Sequence, residues 1–172
     1  MDARELEQII DEYGIQVYRF CLSLSKRKAD AEDLYQQTFL KLFELGTEIQ
    51  WDRNPRSFLF SIACGIWKNE QRKQLRRATD PIEDLTAVAS PGSTEGEVLA
   101  RLETEEIKKA IGRLPAKYRI PLILQYTFEM SLEEISKTER IPIGTVKSRL
   151  YQAKKLIKKE MEANGYGKPI QR

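Results

Sequence analysis

Histidine is absent from the 172-residue sequence, cysteine occurs only twice, and the nine glycines form no glycine-rich phosphate-binding loop. Without histidine, serine–histidine and cysteine–histidine nucleophile pairs are excluded, together with every zinc site that uses imidazole. Enzymatic chemistry therefore has little to work with in this sequence. We expect a protein that is not an enzyme, uses no metal or cofactor, and has no small-molecule substrate.

Long apolar segments are missing as well. The longest mostly apolar run, Phe58 to Trp67, covers about half of a bilayer span. The acidic start, Met1 to Glu5, is followed by no apolar signal-peptide core. Cys21 and Cys64 lie in apolar helical patterns, which favours reduced core residues over a disulfide. We expect a cytoplasmic protein with no transmembrane helix.

Charge, by contrast, is abundant and lies in blocks of alternating sign. The net charge of +3 divides into −3 for residues 1–45, +4 for 46–77, −7 for 78–107 and +9 for 108–172. Two basic blocks separated by an acidic one indicate two contacts with nucleic acid on one chain.

The second basic block contains two predicted helices joined by a tight turn. Ser131 and Glu134 have the spacing of a capping box, which predicts a helix start. That helix should break before Pro142, because the residue preceding a proline is displaced from the α region. A helix from residue 143 then combines an apolar stripe with a basic, polar face, which is the pattern of a DNA-binding helix-turn-helix. The stripe is Val146, Leu150, Ala153 and Ile157, and the opposite face carries Lys147, Ser148, Tyr151, Gln152 and Lys155.

A solvated surface helix is the alternative interpretation of this basic face. From Arg140 to Lys159 there are seven Lys or Arg and no acid, so the helix lacks the i,i+4 acid partners that support many exposed helices. Ser148 and Gln152 stand among the cations, where binding to phosphates alone would not need them. We therefore favour DNA binding.

Five further helices are predicted from apolar residues at three- and four-residue spacing. Three lie over residues 5–24, 30–45 and 58–77, with Asp30 and Ser57 as expected N-caps of the second and third. Two more are expected over residues 98–114 and 118–128. The third helix becomes basic in its C-terminal half, and its predicted core stripe is Leu59, Ile62, Ala63 and Ile66.

Residues 78–97 are rich in Pro, Gly, Ser, Thr and acids and show little periodicity, which indicates a linker. The predicted fold is therefore all-α, with two small helical domains, residues 1–77 and 98–172, joined by the acidic flexible linker 78–97. The C-terminal domain carries the helix-turn-helix.

The loop before the third helix contains Trp51, Arg53, Asn54 and Arg56. These residue types suit an unstacked base, which is held by stacking and hydrogen bonds. A purely structural position for Trp51, covering the core, is equally compatible with the sequence.

The sequence resembles bacterial RNA polymerase sigma factors of the extracytoplasmic-function (ECF) group. Four segments carry the resemblance, in the family's order and over nearly the whole chain: Asp30–Phe39, Pro55–Lys73, Arg113–Leu124 and Leu132–Lys158. The resemblance implies a sigma factor that binds core RNA polymerase and both recognises and melts promoter DNA. It further implies an anti-sigma factor, often membrane-bound, as a partner.

Residue roles follow from the resemblance alone. The second helix resembles the segment that docks on the clamp helices of the polymerase β′ subunit, and the third helix with its preceding loop resembles the −10 reader. The basic helix resembles the −35 reader. The polymerase contacts would be Glu32, Asp33, Leu34, Gln36, Gln37 and Phe39; the −10 contacts Trp51, Arg53, Asn54, Arg56, Ser57, Phe58, Lys68, Asn69, Arg72 and Lys73; and the −35 contacts Thr145, Lys147, Ser148, Arg149, Tyr151, Gln152 and Lys155.

Two other functions are compatible with parts of the sequence. An autonomous helix-turn-helix regulator would use only residues 98–172 on duplex DNA, although the basic half of the third helix would then lack a purpose. A helical adaptor with no nucleic-acid role is the other alternative.

Overall fold

A computed structural model describes residues 1–46, 54–77 and 105–166. Apart from short turns, these residues form seven helices and no strand, which confirms the all-α prediction. No helix among them is long and apolar enough to cross a membrane. The predicted linker, the loop residues Trp51 and Arg53, and the predicted helical residues 98–104 fall outside the described ranges. The helices are α1 (Ala3–Leu24), α2 (Lys28–Leu45), α3 (Pro55–Arg77), α4 (105–113), α5 (Ala116–Tyr126), α6 (Leu132–Glu139) and α7 (Ile143–Ala163).

The described residues divide into two compact units. The first consists of residues 1–46 and 54–77 together with Ser136–Arg140, and the second of residues 105–135 and 141–166. The second part of α6 thus belongs to the first unit, although the sequence places it between two segments of the second.

The core of the first unit is formed by α1, α2 and α3, each of which packs on the other two. Phe20 of α1 and Phe60 of α3 are fully buried and stack with their ring centroids 4.4 Å apart. Leu42 of α2 is also fully buried. Burial of these large side chains supplies much of the free energy that holds the three helices together.

Both cysteines lie in this core as free thiols, as predicted. Cys21 is fully buried and Cys64 is 2% exposed. Burial raises the pKa of the Cys21 thiol to about 12. It also raises the pKa of the Cys64 thiol, since a thiolate would lose its hydration there.

The predicted N-caps of α2 and α3 are wrong. Helix α2 begins at Lys28 without a side-chain cap, and Asp30 lies inside its first turn, where its carboxylate pairs with Arg27 at 3.0 Å. Helix α3 begins at Pro55, and the Asn54 side-chain oxygen accepts a hydrogen bond from the Ser57 N–H at 3.1 Å. Proline is favoured at the first helical position because its missing N–H would have no partner there.

The predicted core stripe of α3 is wrong in part. Leu59 and Ala63 are fully buried, whereas Ile62 and Ile66 are only half-buried. The buried face is wider because α3 packs against both α1 and α2. It is completed by Phe60, Cys64 and Trp67.

In the second unit, α5 packs against α7. The α5 residues Ile120 and Leu124 are fully buried, as is Val146 of α7. Helix α5 runs from Ala116 to Tyr126, two residues earlier at each end than predicted, because Pro115 stands at its N-cap position and the chain turns before Phe128. In the predicted apolar stripe of the helix before Pro115, Leu114 is buried but Ile107 is 40% exposed. Ala110 is buried instead of Ile107.

Two glycines inside helices provide a matched test of packing. A Cβ on Gly65 would meet nothing within 4 Å, whereas a Cβ on Gly14 would lie 3.0 Å from the Tyr35 hydroxyl oxygen. Because glycine is disfavoured in helices, Gly65→Ala should raise the free energy of unfolding by roughly 0.5–1 kcal/mol. Gly14→Ala should raise the free energy of unfolding by less, because the new methyl group would press on the Tyr35 hydroxyl. The Tyr35 ring cannot move away freely, since it has edge contacts with Tyr18 and Phe39. Urea denaturation of both variants measures the difference, and an equal gain would contradict it.

Candidate nucleic-acid interface

The helix-turn-helix begins with the predicted capping box. The Ser131 hydroxyl oxygen accepts from the Glu134 N–H at 3.1 Å, and the Glu134 carboxylate accepts from the Ser131 N–H at 2.8 Å. Two N–H groups of the first turn that have no partner within the helix are thereby satisfied, which fixes the start of α6.

The turn between α6 and α7 begins at Arg140, which has a φ of 55°. A residue in the left-handed region ends a helix, and Arg140 adopts this conformation without being glycine. The Arg140 N–H donates to the Lys137 carbonyl at 3.3 Å. The sequence predicted the break from Pro142 alone. In the structure α6 already ends at Glu139, and Pro142 is the N-cap residue of α7.

Helix α7 separates an apolar from a polar face, as three of the four residues of its predicted stripe require. Val146 and Ala153 are fully buried and Leu150 is 4% exposed, whereas Ile157 is only half-buried. Packing of this stripe against α5 fixes the rotation of the helix and turns the other face to the surface. Of the predicted −35 contacts, Lys147, Ser148, Tyr151 and Lys155 are exposed, and Thr145, Arg149 and Gln152 are half-buried.

The basic half of α3 forms a second exposed surface. Asn69, Arg72 and Lys73 are exposed, and Lys68 is half-buried. Lys73 pairs with Glu70 at 3.0 Å, a contact between exposed side chains that contributes little to stability. Several cations on one face suit a phosphate backbone.

The N-terminal end of α3 is less accessible than its basic half. Phe58, Arg56 and Asn54 are half-buried. Ser57 is buried, with a hydrogen bond between its hydroxyl and that of Thr138 at 2.6 Å. In this conformation Ser57 does not face solvent, in contrast to the surface position implied by its expected role in −10 reading.

The third surface lies on α2. Glu32, Asp33, Gln36 and Gln37 are exposed, as their predicted polymerase contacts require. Leu34 and Phe39 are each only 5% exposed, so their predicted surface positions are wrong. Both side chains fill the core, because α2 packs against α1 and α3 on that face. Leu40, Phe43 and Leu45 are the exposed large apolar residues of α2 instead, at 59%, 46% and 39%.

No cluster of three or more Cys, Asp or Glu that could hold a metal ion occurs in residues 1–46, 54–77 and 105–166.

Two family models and several known proteins match the chain. Residues 9–77 match the family model of Sigma-70 region 2, and residues 104–157 match that of Sigma-70, region 4. The ECF RNA polymerase sigma factor SigM of Bacillus subtilis is 30% identical over 159 residues, which cover 89% of this chain and 93% of the relative. The chain belongs to the ECF sigma factors. It directs promoter-specific transcription initiation.

Other ECF sigma factors match over similar lengths. EcfG of Rhodopseudomonas palustris is 30% identical over 148 residues, 85% of this chain and 79% of the relative. SigW of Bacillus subtilis is 25% identical over 169 residues, 93% of this chain and 90% of the relative. The match to region 2 in addition to region 4 excludes the regulator that would use only residues 98–172.

The fold of this ECF sigma factor is shared with solved structures. The sigma factor RpoE from Bartonella quintana, crystallised with the anti-sigma factor NepR, gives a TM-score of 0.74 at 24% identity, covering 93% of this chain and 98% of that chain. CnrH, in complex with the cytosolic domain of CnrY, gives a TM-score of 0.65 at 20% identity, covering 94% of this chain and 90% of that chain. At sequence identities of 24% and 20%, these structural similarities establish the fold alone.

Proposed function

We propose that the exposed face of α7 reads the −35 element of the promoter. The one observation that carries this proposal is the separation of faces on α7: a buried apolar stripe leaves cations, a hydroxyl and an amide together on the other side. Cations neutralise phosphates without regard to sequence, while Ser148 and Gln152 have the hydrogen-bonding groups that distinguish base edges. The match of residues 104–157 to region 4 supports the same assignment.

The −10 element is assigned to α3 and the loop that precedes it. Support comes from the exposed Asn69, Arg72 and Lys73 and from the match of residues 9–77 to region 2. Single-stranded DNA is bound by cations along its backbone and by stacking of its bases. Trp51 and Arg53 remain part of this proposal from their sequence alone.

Core RNA polymerase is assigned to the exposed face of α2. Glu32, Asp33, Gln36 and Gln37 supply its polar part, and Leu40 follows them on the same face at helical spacing. An exposed leucine beside acids and amides fits a protein interface, which combines an apolar centre with a polar rim. Leu34 and Phe39 support this surface from beneath, by fixing the rotation of α2 on the core.

An anti-sigma factor is the proposed regulatory partner. The matching structure of RpoE was solved in complex with the anti-sigma factor NepR. We place the protein in the cytoplasm, where polymerase and promoters are found, and assign it no enzymatic activity of its own.

Run-off transcription on genomic fragments tests the whole assignment. Bacterial core polymerase is assayed with and without the protein, and discrete transcripts that appear only with it are expected. Their start sites supply the −10 and −35 sequences for the experiments below. A protein that shifts duplex DNA but yields no transcript would contradict the sigma-factor function.

Lys155→Gln should weaken binding of the full chain to duplex −35 DNA by a similar factor on every sequence. Loss of one phosphate contact reduces the slope of log binding constant against log salt by about 0.9. Lys41→Gln is the matched control, because it removes the same charge from the exposed side of α2, where Lys41 pairs with Glu44 at 3.1 Å. Fluorescence anisotropy at several salt concentrations measures both slopes. An unchanged slope for Lys155→Gln would remove this residue from the phosphate contacts.

A further inference from the structure

Leu75, near the end of α3, is the most exposed large apolar residue in the parts of the chain that the structure describes, at 72%. The last buried residue of α3 is Trp67, and all residues from Arg72 to Arg77, called the α3 arm below, are exposed. Because burial of an apolar face supplies most of the stability of a helix, an exposed leucine in this arm adds little to the fold. A single exposed leucine is common on protein surfaces, and what distinguishes Leu75 is its position.

Leu75 lies on a face of α3 that carries proposed −10 contacts. Lys68, Arg72 and Leu75 follow one another at spacings of four and three residues, which places them on one stripe of the helix. Lys68 and Arg72 are both among the residues assigned to the −10 element. A third, Asn69, stands three positions before Arg72 and borders the same stripe. The proposed DNA-binding face thus continues through Leu75 toward the end of the helix.

The charges around Leu75 favour a polyanionic partner. Within residues 1–46, 54–77 and 105–166, the three arginines of the α3 arm form no ion pair: Arg72, Arg76 and Arg77. The two lysines of the same helix half are paired with acids, Lys68 with Glu139 at 3.1 Å and Lys73 with Glu70 at 3.0 Å. The arginines therefore remain available for phosphates on either side of a groove.

The side chain of Leu75 restricts what it can contact in such a groove. Leucine has no hydrogen-bonding group, so it cannot read the donors and acceptors of base edges. In the major groove of duplex DNA, thymine presents an apolar group, its C5 methyl, which apolar side chains contact. A leucine flanked by arginines therefore fits a thymine methyl that lies between phosphates.

We propose that Leu75 is a specificity-determining residue that contacts the methyl group of a thymine in the duplex on the upstream side of the −10 element. The side follows from the order of the chain, because α3 continues into residues 78–97, which lead to the proposed −35 reader. Leu75 stands six residues after Asn69, roughly 9 Å along the helix. At about 3.4 Å per base pair, the thymine lies within about three base pairs of the nucleotide that Asn69 contacts. This inference depends on the proposed −10 function of α3.

Exchange of thymine for uracil tests the contact, because it removes the methyl group and leaves base pairing intact. Promoters found by run-off transcription are prepared with a thymine, or a deoxyuridine in its place, on either strand at each of the three base pairs upstream of the −10 element. Core polymerase with the unaltered protein should bind one thymine promoter about threefold to fourfold more tightly than its uracil counterpart, as expected for one buried methyl group. Fluorescence anisotropy of the labelled promoters measures this ratio.

Leu75→Ala should bind the thymine and uracil promoters equally, since the alanine side chain is too short to reach the methyl group. Leu75→Met keeps an apolar side chain of similar volume and should retain the preference. Leu22→Ala is the matched control, because Leu22 is an exposed leucine of α1, at 41%, and it should show the full thymine preference. Because Leu75 is exposed, its replacement should leave the fold intact.

Asn69→Ala separates the inference from the function on which it depends. If Asn69→Ala alters the −10 sequence preference while thymine and uracil promoters bind equally to the unaltered protein, the Leu75 contact is refuted and the −10 assignment stands. If Asn69→Ala also leaves the −10 preference unchanged, both are refuted. A loss on Leu75→Ala that is the same for thymine and uracil promoters would refute the methyl contact, and would indicate a wedge between base pairs or a contact with polymerase.

Discussion

Replacing Phe60 by alanine is expected to lower the free energy of unfolding of the first unit by about 3–5 kcal/mol. The side chain is fully buried and stacked on Phe20 at 4.4 Å between ring centroids. Its removal therefore costs the transfer free energy of the ring, the cavity left behind and the aromatic contact. An effect of this size is a large fraction of the total stability of a small domain.

Urea denaturation followed by circular dichroism measures this change. Phe43→Ala is the matched control: it removes the same atoms from α2, where the side chain is 46% exposed, and should cost less than about 1 kcal/mol. Because the chain consists of two units, the variants should alter one transition and leave the other in place. Similar losses for Phe60→Ala and Phe43→Ala would contradict the proposed core.

Replacing Gln152 by alanine is expected to cost about 1–3 kcal/mol at a single base pair of the −35 element. Gln152 lies half-buried at the edge of the α7 face, which restricts its side chain and favours a fixed hydrogen-bonding geometry. An amide that forms two hydrogen bonds to one base loses both on truncation. Discrimination at that base pair should then disappear, while preferences at the other positions remain.

Run-off transcription from promoters with single −35 substitutions measures this specificity. Gln74→Ala is the control, because Gln74 is an exposed amide on α3, outside the proposed −35 contacts. It should leave the −35 preferences intact. An equal loss on every promoter would show that Gln152 contacts no base, and that it serves packing or phosphate binding instead.

Features of the helix-turn-helix could be predicted well because they depend on residues close together in sequence. The capping box at Ser131 needs only a hydroxyl and a carboxylate three residues apart, and both hydrogen bonds are present. The α7 stripe follows from helical periodicity: Val146, Leu150 and Ala153 are buried as expected, and the fourth predicted residue, Ile157, is half-buried. Such local patterns determine which side of a helix is apolar.

The faces of α2 and α3 were harder to predict, because each helix packs against two others. On α2, apolar residues occur on more than one side, and periodicity alone does not show that Phe39 enters the core while Phe43 stays exposed. The same holds for Ile62 and Phe60 on α3. The choice depends on the angles at which three helices meet, which no short window of sequence encodes.

The Lys68–Glu139 pair could not have been predicted from the sequence by any of these rules. The two residues are 71 positions apart, and in the sequence Glu139 reads as one more acid near a basic turn. A weak local signal exists: a carboxylate at the last position of a helix is unfavourable and calls for a cation from elsewhere. That signal indicates that a partner is needed without identifying it.

Because Cys21 and Cys64 are buried, the rate at which their thiols react can measure how often the first unit opens. Both thiols of the chain lie in this one core, on two different helices, and neither reaches solvent beyond 2% exposure. A thiol reagent can modify them only in molecules whose helices have separated, so the modification rate measures how often that happens. The second unit contains no cysteine and is silent in such an experiment. The two native thiols thus report the opening of the first unit without an introduced label.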